Sequence, residues 1–166
     1  VAAQDADLDG TQTVRFSLAS NTAAFTIDAV TGQIETRAPL DREAAAVYDV
    51  VVVAQDVGLG ETMASNTTVR VQVDDVNDNN PVITGVPEVV EVLEDAAVGT
   101  TLLTVSATDA DAGENAQVVF SLLGASSGSS DALAINSSTG AVVLQRALDR
   151  EQLATLPFTV VVQDEG

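Results

Sequence analysis

The segment from residue 74 to residue 81 reads Asp-Asp-Val-Asn-Asp-Asn-Asn-Pro and follows a run in which apolar and polar residues alternate. That run, Thr68 to Val73, has the period of two that indicates a half-buried β-strand. Val69, Val71 and Val73 are therefore predicted to face a core. The Asn-Asn-Pro at the end of the segment is typical of a turn, so the acidic stretch is predicted to close one β-rich unit before another begins.

Short Val-rich runs bounded by turn residues occur along the whole chain. They predict strands at Thr13 to Leu18, Val47 to Ala54, Thr67 to Val73, Glu88 to Leu93, Leu102 to Thr108, Gln117 to Leu122 and Phe158 to Gln163. The run from Val47 to Val53 is apolar on both faces, which favours a central strand. Gly32 and Gly140 are predicted to turn the chain with positive φ, and Glu43 to Ala46 can make a short turn of helix. About seven short strands in roughly 105 residues predict an all-β fold, an antiparallel sandwich of immunoglobulin-like architecture.

The chain contains an internal repeat of about 105 residues. Five blocks recur in the same order: Asp5-Ala6-Asp7 as Asp109-Ala110-Asp111, Val14–Leu18 as Val118–Leu122, Ile27–Gly32 as Ile135–Gly140, Leu40–Glu43 as Leu148–Glu151, and Val53–Asp56 as Val161–Asp164. The offset changes from 104 to 108 residues along the chain, which predicts a loop insertion between Gly124 and Asp131. We expect two repeats, residues 1–79 lacking the first strand or strands and residues 80–166 lacking the last strand.

The composition excludes several classes of function. The 166 residues include 25 acidic and 6 basic ones, all of the latter Arg, which gives a net charge of −19. Such a chain repels nucleic acids and anionic membranes. Because His, Cys and Lys are absent, a Ser-His-Asp triad, a Cys nucleophile, the usual zinc site and a Schiff base are excluded. Carboxylate oxygen remains in quantity, and it suits hard cations, calcium above all.

The ends of the chain suggest a piece of something longer. The first residues have neither an initiating Met nor the basic and apolar stretches of a signal peptide, and no apolar run reaches 18 residues. Two acceptor triplets for N-linked glycosylation, Asn66-Thr67-Thr68 and Asn136-Ser137-Ser138, are compatible with secretion.

The carboxylates are concentrated where strands are predicted to end. Asp and Asn are ordinary turn residues, but turn chemistry does not require the same Asp-x-Asp in both copies of the repeat. Alternate side chains of an extended loop point the same way, so Asp-x-Asp can close on one ion while carbonyl oxygens complete a calcium shell. An EF-hand is disfavoured: Asp5 to Gly10 matches the first half of its loop, but the twelfth position is Phe16 instead of a bidentate Glu.

Taken together, these motifs resemble the extracellular repeats of cadherins. They are the repeat length, Leu40-Asp41-Arg42-Glu43, the Asp-x-Asn-Asp-Asn-x-Pro of Asp75 to Pro81, the Asp-x-Asp pairs, and Glu94 to Thr100. The resemblance covers the whole chain and implies tandem seven-stranded Greek-key β-sandwiches with calcium ions at each junction.

The resemblance also implies a set of calcium ligands. For the junction inside this chain the set is Asp41, Glu43, Asp75, Val76 (carbonyl), Asn77, Asp78, Asn79 (carbonyl), Asp109, Asp111, Asn115 (carbonyl) and Asp164. Asp5, Asp7 and Asp56 would serve the previous junction, and Glu94, Asp149 and Glu151 the next. The Glu that the family takes from the first strand of the upper repeat is missing, so we expect the internal junction to bind fewer ions. Arg42 and Arg150 are interpreted as surface residues beside paired acids, with a role in ordering the loop as the alternative.

By resemblance, the function is calcium-dependent cell adhesion, often homophilic, by the extracellular region of a single-pass plasma-membrane protein. The expected partners are other cadherin-like ectodomains. One alternative is a calcium-rigidified spacer or binding module that recognises carbohydrate or another protein; only Tyr48 and four Phe are present, which disfavours sugar binding. The other is a hydrolase with two carboxylates in a cleft, but nothing marks a pocket, and we expect no enzyme.

Overall fold

The chain divides into two compact units in the computed structural model, which describes residues 1–4, 13–57, 63–123, 131–152 and 154–165. The units are Val1–Asp74 and Asp75–Gly166. Across the described residues every regular element is a β-strand, as the all-β prediction requires. That part of the chain contains no helix with the length and hydropathy needed to cross a membrane. The segment 75–79 belongs to the second unit, whereas the expected repeat boundary lies after residue 79.

The first unit has five described strands, joined antiparallel into two sheets. They are β1 (Thr13–Leu18), β2 (Phe25–Ile27), β3 (Ile34–Thr36), β4 (Val47–Val57) and β5 (Ala64–Gln72). One sheet has the order β1-β4-β5 and the other pairs β2 with β3. The central position predicted for the Val47 run is thereby confirmed. The Glu43 segment forms one turn, in which the Ala45 N–H donates to the Asp41 carbonyl oxygen at 2.9 Å.

Both sheets of the first unit contribute to its core. Val50 and Val52 are 0% and 1% exposed, and they pack with Phe16 and Phe25. The half-buried side chains around them include Val69 and Val71 of β5, which confirms the predicted alternation for these two residues. Val73 follows the end of β5 and is not part of this core cluster. Residues of period two on one face of a strand are buried together because successive side chains point to opposite faces.

The second unit has seven described strands. They are β6 (Val82–Thr84), β7 (Thr101–Thr104), β8 (Ser106–Thr108), β9 (Val118–Leu123), β10 (Leu133–Ile135), β11 (Ala141–Leu144) and β12 (Thr159–Asp164). The sheets have the orders β10-β11-β7, β12-β9 and β6-β8, and every pairing is antiparallel. Phe120, Leu133, Val142 and Leu144 form the core with Val105.

The predicted strand Leu102 to Thr108 is two strands, and the break has a structural cause. Val105 separates β7 from β8, and its N–H donates to the Gly140 carbonyl oxygen at 2.9 Å instead of joining a ladder. On one side of this residue the chain pairs with β11, and on the other side it pairs with β6. The chain therefore passes between sheets at Val105, and its side chain, 1% exposed, is in the core.

The predicted strand Glu88 to Leu93 is wrong for the described structure. The segment has no strand pairing, and Val89 and Leu93 are 74% and 76% exposed. Its apolar residues matched a strand pattern, but a strand also needs a neighbour that takes its backbone hydrogen bonds. The sequence pattern carries no information about that neighbour.

The internal repeat is preserved in the strand register. Phe16 of β1 lies opposite Ala54 of β4, and Phe120 of β9 lies opposite Val162 of β12. These are the positions related by offsets of 104 and 108 in the sequence. The loop assigned to the insertion falls mainly on residues 124–130, outside the described residues.

Candidate metal centre

The acidic segment 75–79 lies against the loop that follows β8, inside the second unit. Asp75 Oδ2 accepts hydrogen bonds from the Ala112 N–H at 3.1 Å and from Asn115 Nδ2 at 2.9 Å. Asn79 donates twice to Asp111, from its backbone N–H to Oδ2 at 3.2 Å and from Nδ2 to Oδ1 at 2.8 Å. The two stretches that the sequence singled out are therefore adjacent.

The Asp-x-Asp pair of this loop folds on itself. Asp109 Oδ1 accepts a hydrogen bond from the Asp111 N–H at 2.9 Å. The other oxygen of the same carboxylate, Asp109 Oδ2, is buried and has no hydrogen-bond partner among the described residues. Asp111 is 7% exposed, and one of its carboxylate oxygens lies within 4.8 Å of one from Asp78. Carboxylates this close, here one buried and one exposed, repel each other unless a cation lies between them.

The end of β12 adds another carboxylate to this region. Asp164 is the last residue of the strand, and it lies opposite Val118 of β9. Its Oδ1 accepts a hydrogen bond from Asn77 Nδ2 at 2.8 Å. The asparagine of the segment 75–79 thus links the strand end to the same group of side chains.

The donor set of the second unit fits a hard divalent cation. Asp78, Asp109, Asp111 and Asp164 offer carboxylate oxygens, and the segment 75–79 offers amide and carbonyl oxygens. Calcium takes 6–8 such oxygens with flexible geometry. The buried, unpartnered Asp109 Oδ2 is the atom that indicates a ligand most directly, because a buried acceptor without a partner is rare and costly.

The first unit places its two candidate ligands in one tight turn. Asp41 Oδ1 accepts a hydrogen bond from the Ala44 N–H at 3.0 Å, and this bond holds the turn. Glu43 pairs with Arg42, whose side chain is 18% exposed. One oxygen of Asp41 therefore stabilises the loop itself. Ion binding by Asp41 and Glu43 stays a proposal.

The candidates for the outer junctions are placed only in part. Glu94 Oε2 accepts from the Arg150 N–H at 3.4 Å, so it lies beside the loop that carries Asp149 and Glu151. Asp149 Oδ1 accepts from the Glu151 N–H at 3.0 Å. Asp56 is in β4 and lies opposite Val14, the register position that Asp164 holds in the second unit. Asp5 and Asp7 lie outside the described residues.

Sequence reasoning missed how the asparagines of the site act. The backbone carbonyls of Asn79 and Asn115 stay predicted ligands. The structure adds that the side-chain amides of these residues donate to Asp111, Asp78 and Asp75. The signal was present in the alternation of Asp and Asn over residues 75–79, because an amide N–H next to a carboxylate neutralises part of its charge. Val76, expected to act through its carbonyl, has a side chain that is 68% exposed.

Comparison with known proteins identifies relatives along the whole chain. The cadherin domain model matches residues 1–74 and 88–166. Cadherin EGF LAG seven-pass G-type receptor 3 of Rattus norvegicus is 37% identical over 168 aligned residues, and Protein dachsous of Drosophila melanogaster is 39% identical over 167. Each alignment covers 100% of this chain but only 5% of the relative.

The fold is also found among solved structures. The cis-dimer structure of protocadherin gammaB7 repeats EC3–6 matches with a TM-score of 0.82 and 32% identity. That match covers 93% of this chain and 37% of the protocadherin chain. The similarity confirms the sandwich architecture predicted from the sequence.

Proposed function

The chain belongs to the cadherin domain family, and from this premise we propose that it acts in calcium-dependent cell adhesion. It would do so within the extracellular region of a plasma-membrane protein. The single-pass anchor that the resemblance implies is part of this proposal, although one relative is named as a seven-pass receptor. Cadherin repeats are adhesion modules rather than enzymes. The proposal is supported by tandem sandwich units and by relatives in which this chain corresponds to a small part of a much longer protein.

The observation that carries the proposal is the carboxylate pair Asp109 and Asp111 beside the segment 75–79. Asp109 Oδ2 is buried without a partner, and Asp111 is nearly buried next to Asp78. A calcium ion would satisfy these oxygens and reverse the sign of their mutual interaction. The proposed ligand set is the one that the resemblance implies, with Asp41 and Glu43 from the first repeat, the segment 75–79 as the linker, and Asp109, Asp111, Asn115 and Asp164 from the second repeat.

We propose that calcium makes the connection between the repeats stiff. An ion that binds residues of the segment 75–79 together with groups of neighbouring repeats removes conformational freedom from that segment. Extracellular calcium modules bind with dissociation constants of about 10⁻⁴ to 10⁻³ M. At an ion concentration tenfold above the dissociation constant, each site stabilises the folded protein by about 1.4 kcal/mol. Such sites respond to changes in extracellular calcium.

The first experiment is a calcium titration followed by thermal melting and hydrodynamic radius. We expect a higher melting temperature and a longer, stiffer particle near millimolar calcium, and we expect both effects to be lost in the double variant Asp109→Ala, Asp111→Ala. Glu35→Ala with Glu88→Ala is the matched control, since it removes the same charge from two exposed side chains outside the site. An unchanged melting temperature in calcium would overturn the metal assignment.

Adhesion itself is tested with beads that carry the full-length ectodomain. Homophilic binding predicts that beads of one type aggregate in calcium and separate in chelator. Aggregation only in mixtures with beads carrying other cadherin-like ectodomains would indicate heterophilic binding. If neither aggregates while calcium still stabilises the protein, the alternative of a rigid spacer or a module that binds carbohydrate or another protein is favoured, and a glycan array separates those two.

A further inference from the structure

The triplet Asn66-Thr67-Thr68 lies on β5, at the edge of the β1-β4-β5 sheet. Val69 and Val71 of the same strand pack on the core, so the residues of the other parity, including Asn66 and Thr68, point to the outer face of the sheet. Both side chains are exposed. An asparagine amide and the hydroxyl two residues later, the two groups of the acceptor motif for N-linked glycosylation, are thus presented on one accessible face.

Two apolar side chains lie next to the triplet on the outer face. Asn66 is paired with Val53 of β4, and Thr68 is paired with Val51. These two valines point away from the core that Val50 and Val52 fill, and they are only half-buried. A bulky group attached to Asn66 would lie over this strip and remove apolar surface from water.

The second triplet, Asn136-Ser137-Ser138, lies in a turn instead of a strand. Asn136 Oδ1 accepts hydrogen bonds from the N–H groups of Ser138 at 3.0 Å and Thr139 at 2.9 Å. In the first unit Asp28 makes the same two bonds, from Val30 at 2.9 Å and Thr31 at 2.7 Å. The residue at this position serves a turn in both copies of the repeat, and Asp28 cannot be an acceptor for a sugar.

We propose that Asn66 carries an N-linked oligosaccharide. The inference rests on the extracellular location in the proposed function. In the transfer, Asn66 Nδ2 forms a bond to the anomeric carbon of an oligosaccharide carried on a lipid diphosphate. The bond from that carbon to the diphosphate oxygen breaks, the lipid diphosphate leaves with the electron pair, and the amide proton passes to a base. The oligosaccharide covers Val51 and Val53, so the outer face of this sheet is not the surface that contacts a partner.

Mass spectrometry of the full-length protein, isolated from the surface of animal cells, tests the proposal. Trypsin cleaves after Arg42, Arg70 and Arg146, which places the two triplets in separate peptides, 43–70 and 71–146. Release of the oligosaccharide by peptide N-glycosidase in heavy-oxygen water converts a modified asparagine to labelled aspartate. We expect the label in peptide 43–70 in most molecules, and the label in peptide 71–146 reports on Asn136 separately.

Variants at the hydroxyl position complete the test. Thr68→Ala should reduce the label in peptide 43–70 to background, and Thr68→Ser should retain it, although both replace one exposed side chain. An unlabelled peptide 43–70 overturns the proposal. If the protein reaches the cell surface and melts at a higher temperature in calcium but lacks the label, the glycosylation proposal alone is overturned. Failure to reach the surface would overturn it together with the proposed location.

Discussion

Asp28 and Asn136 hold equivalent turns with different chemistry. Each accepts hydrogen bonds from two backbone N–H groups through one side-chain oxygen. The bonds from Thr31 and Val30 lower the pKa of Asp28, because they favour the charged carboxylate. A group with a lowered pKa in the folded state adds stability above its unfolded pKa, and that stability is lost as the pH falls through the folded pKa. Asn136 has no such dependence.

We therefore predict that Asp28→Asn removes one acid-sensitive contribution to stability. The variant should be somewhat less stable than the wild-type protein at pH 7, where the carboxylate accepts stronger hydrogen bonds than an amide. The difference should shrink as the pH is lowered below about 4, the unfolded pKa of an aspartate. Urea denaturation at a series of pH values measures this difference.

The reciprocal variant is the control for this turn. Asn136→Asp should introduce the same acid-sensitive contribution into the second unit, since the backbone donors at Ser138 and Thr139 stay in place. If the free energies of unfolding of the wild-type protein and of Asp28→Asn differ by the same amount from pH 7 to pH 3, the Asp28 carboxylate makes no acid-sensitive contribution to stability.

The hairpin of β10 and β11 depends on a glycine that the sequence already marked. Gly140 has φ of 69°, and Gly32 in the first unit has φ of 67°. A Cβ on Gly140 would meet the Val105 carbonyl oxygen, and the Phe120 ring would lie 3.3 Å from it. The carbonyl belongs to the residue where the chain passes between sheets, so the turn and the crossing are packed together.

We predict that Gly140→Ala destabilises the second unit by about 3 kcal/mol or more, through both a strained φ and a collision with backbone. Gly85→Ala is the matched control: its φ is 71°, but a Cβ there has nothing within 4 Å. That variant should lose only about 1 kcal/mol, from the strained φ alone. Chemical denaturation of both variants separates the two effects. Equal losses of stability would show that the Val105 carbonyl moves aside without a measurable cost.

At the scale of elements, sequence reasoning found the long strands and missed the short ones. β1 begins and ends where it was predicted, at Thr13 and Leu18. Four of the missed strands have three residues each, too few for a period of two to stand out. They are Phe25–Ile27, Ile34–Thr36, Val82–Thr84 and Leu133–Ile135. Ala141–Leu144 was also missed, because it is apolar on both faces and does not alternate.

The candidate site shows a similar division. The internal repeat and the Asp-x-Asp spacing were enough to select Asp109, Asp111 and the segment 75–79, and the structure brings these together in the second unit. The hydrogen bonds from Asn79 to Asp111 and from Ala112 to Asp75 could not be predicted, because they depend on how two distant loops meet. The sequence therefore selects which residues belong to the site, whereas the hydrogen bonds among them depend on the fold.

In a molecule with a net charge of −19, repulsion among the carboxylates of the candidate metal site matters for stability when calcium is absent. Like charges repel in the compact state, and salt screens exposed pairs better than buried ones. Asp109 is the residue where this conflict is sharpest, because one of its oxygens is buried without a partner beside the nearly buried Asp111. The Asp109 carboxylate therefore favours calcium binding but lowers the stability of the calcium-free protein.

We predict that Asp109→Asn stabilises the calcium-free protein and destabilises the calcium-loaded protein relative to wild type. The amide replaces a charged, unpartnered carboxylate with a neutral group, so the repulsion with the nearby Asp111 carboxylate is removed. The same change removes a ligand, so the variant should lose up to about 1.4 kcal/mol of calcium stabilisation per affected site. Melting temperatures of the two proteins, plotted against calcium concentration, should cross below the millimolar range. Glu88→Gln removes an equal charge from an exposed side chain outside the site and should give a curve parallel to that of the wild type. Curves for Asp109→Asn that remain parallel as well would mean that Asp109 neither destabilises the metal-free protein nor binds the ion.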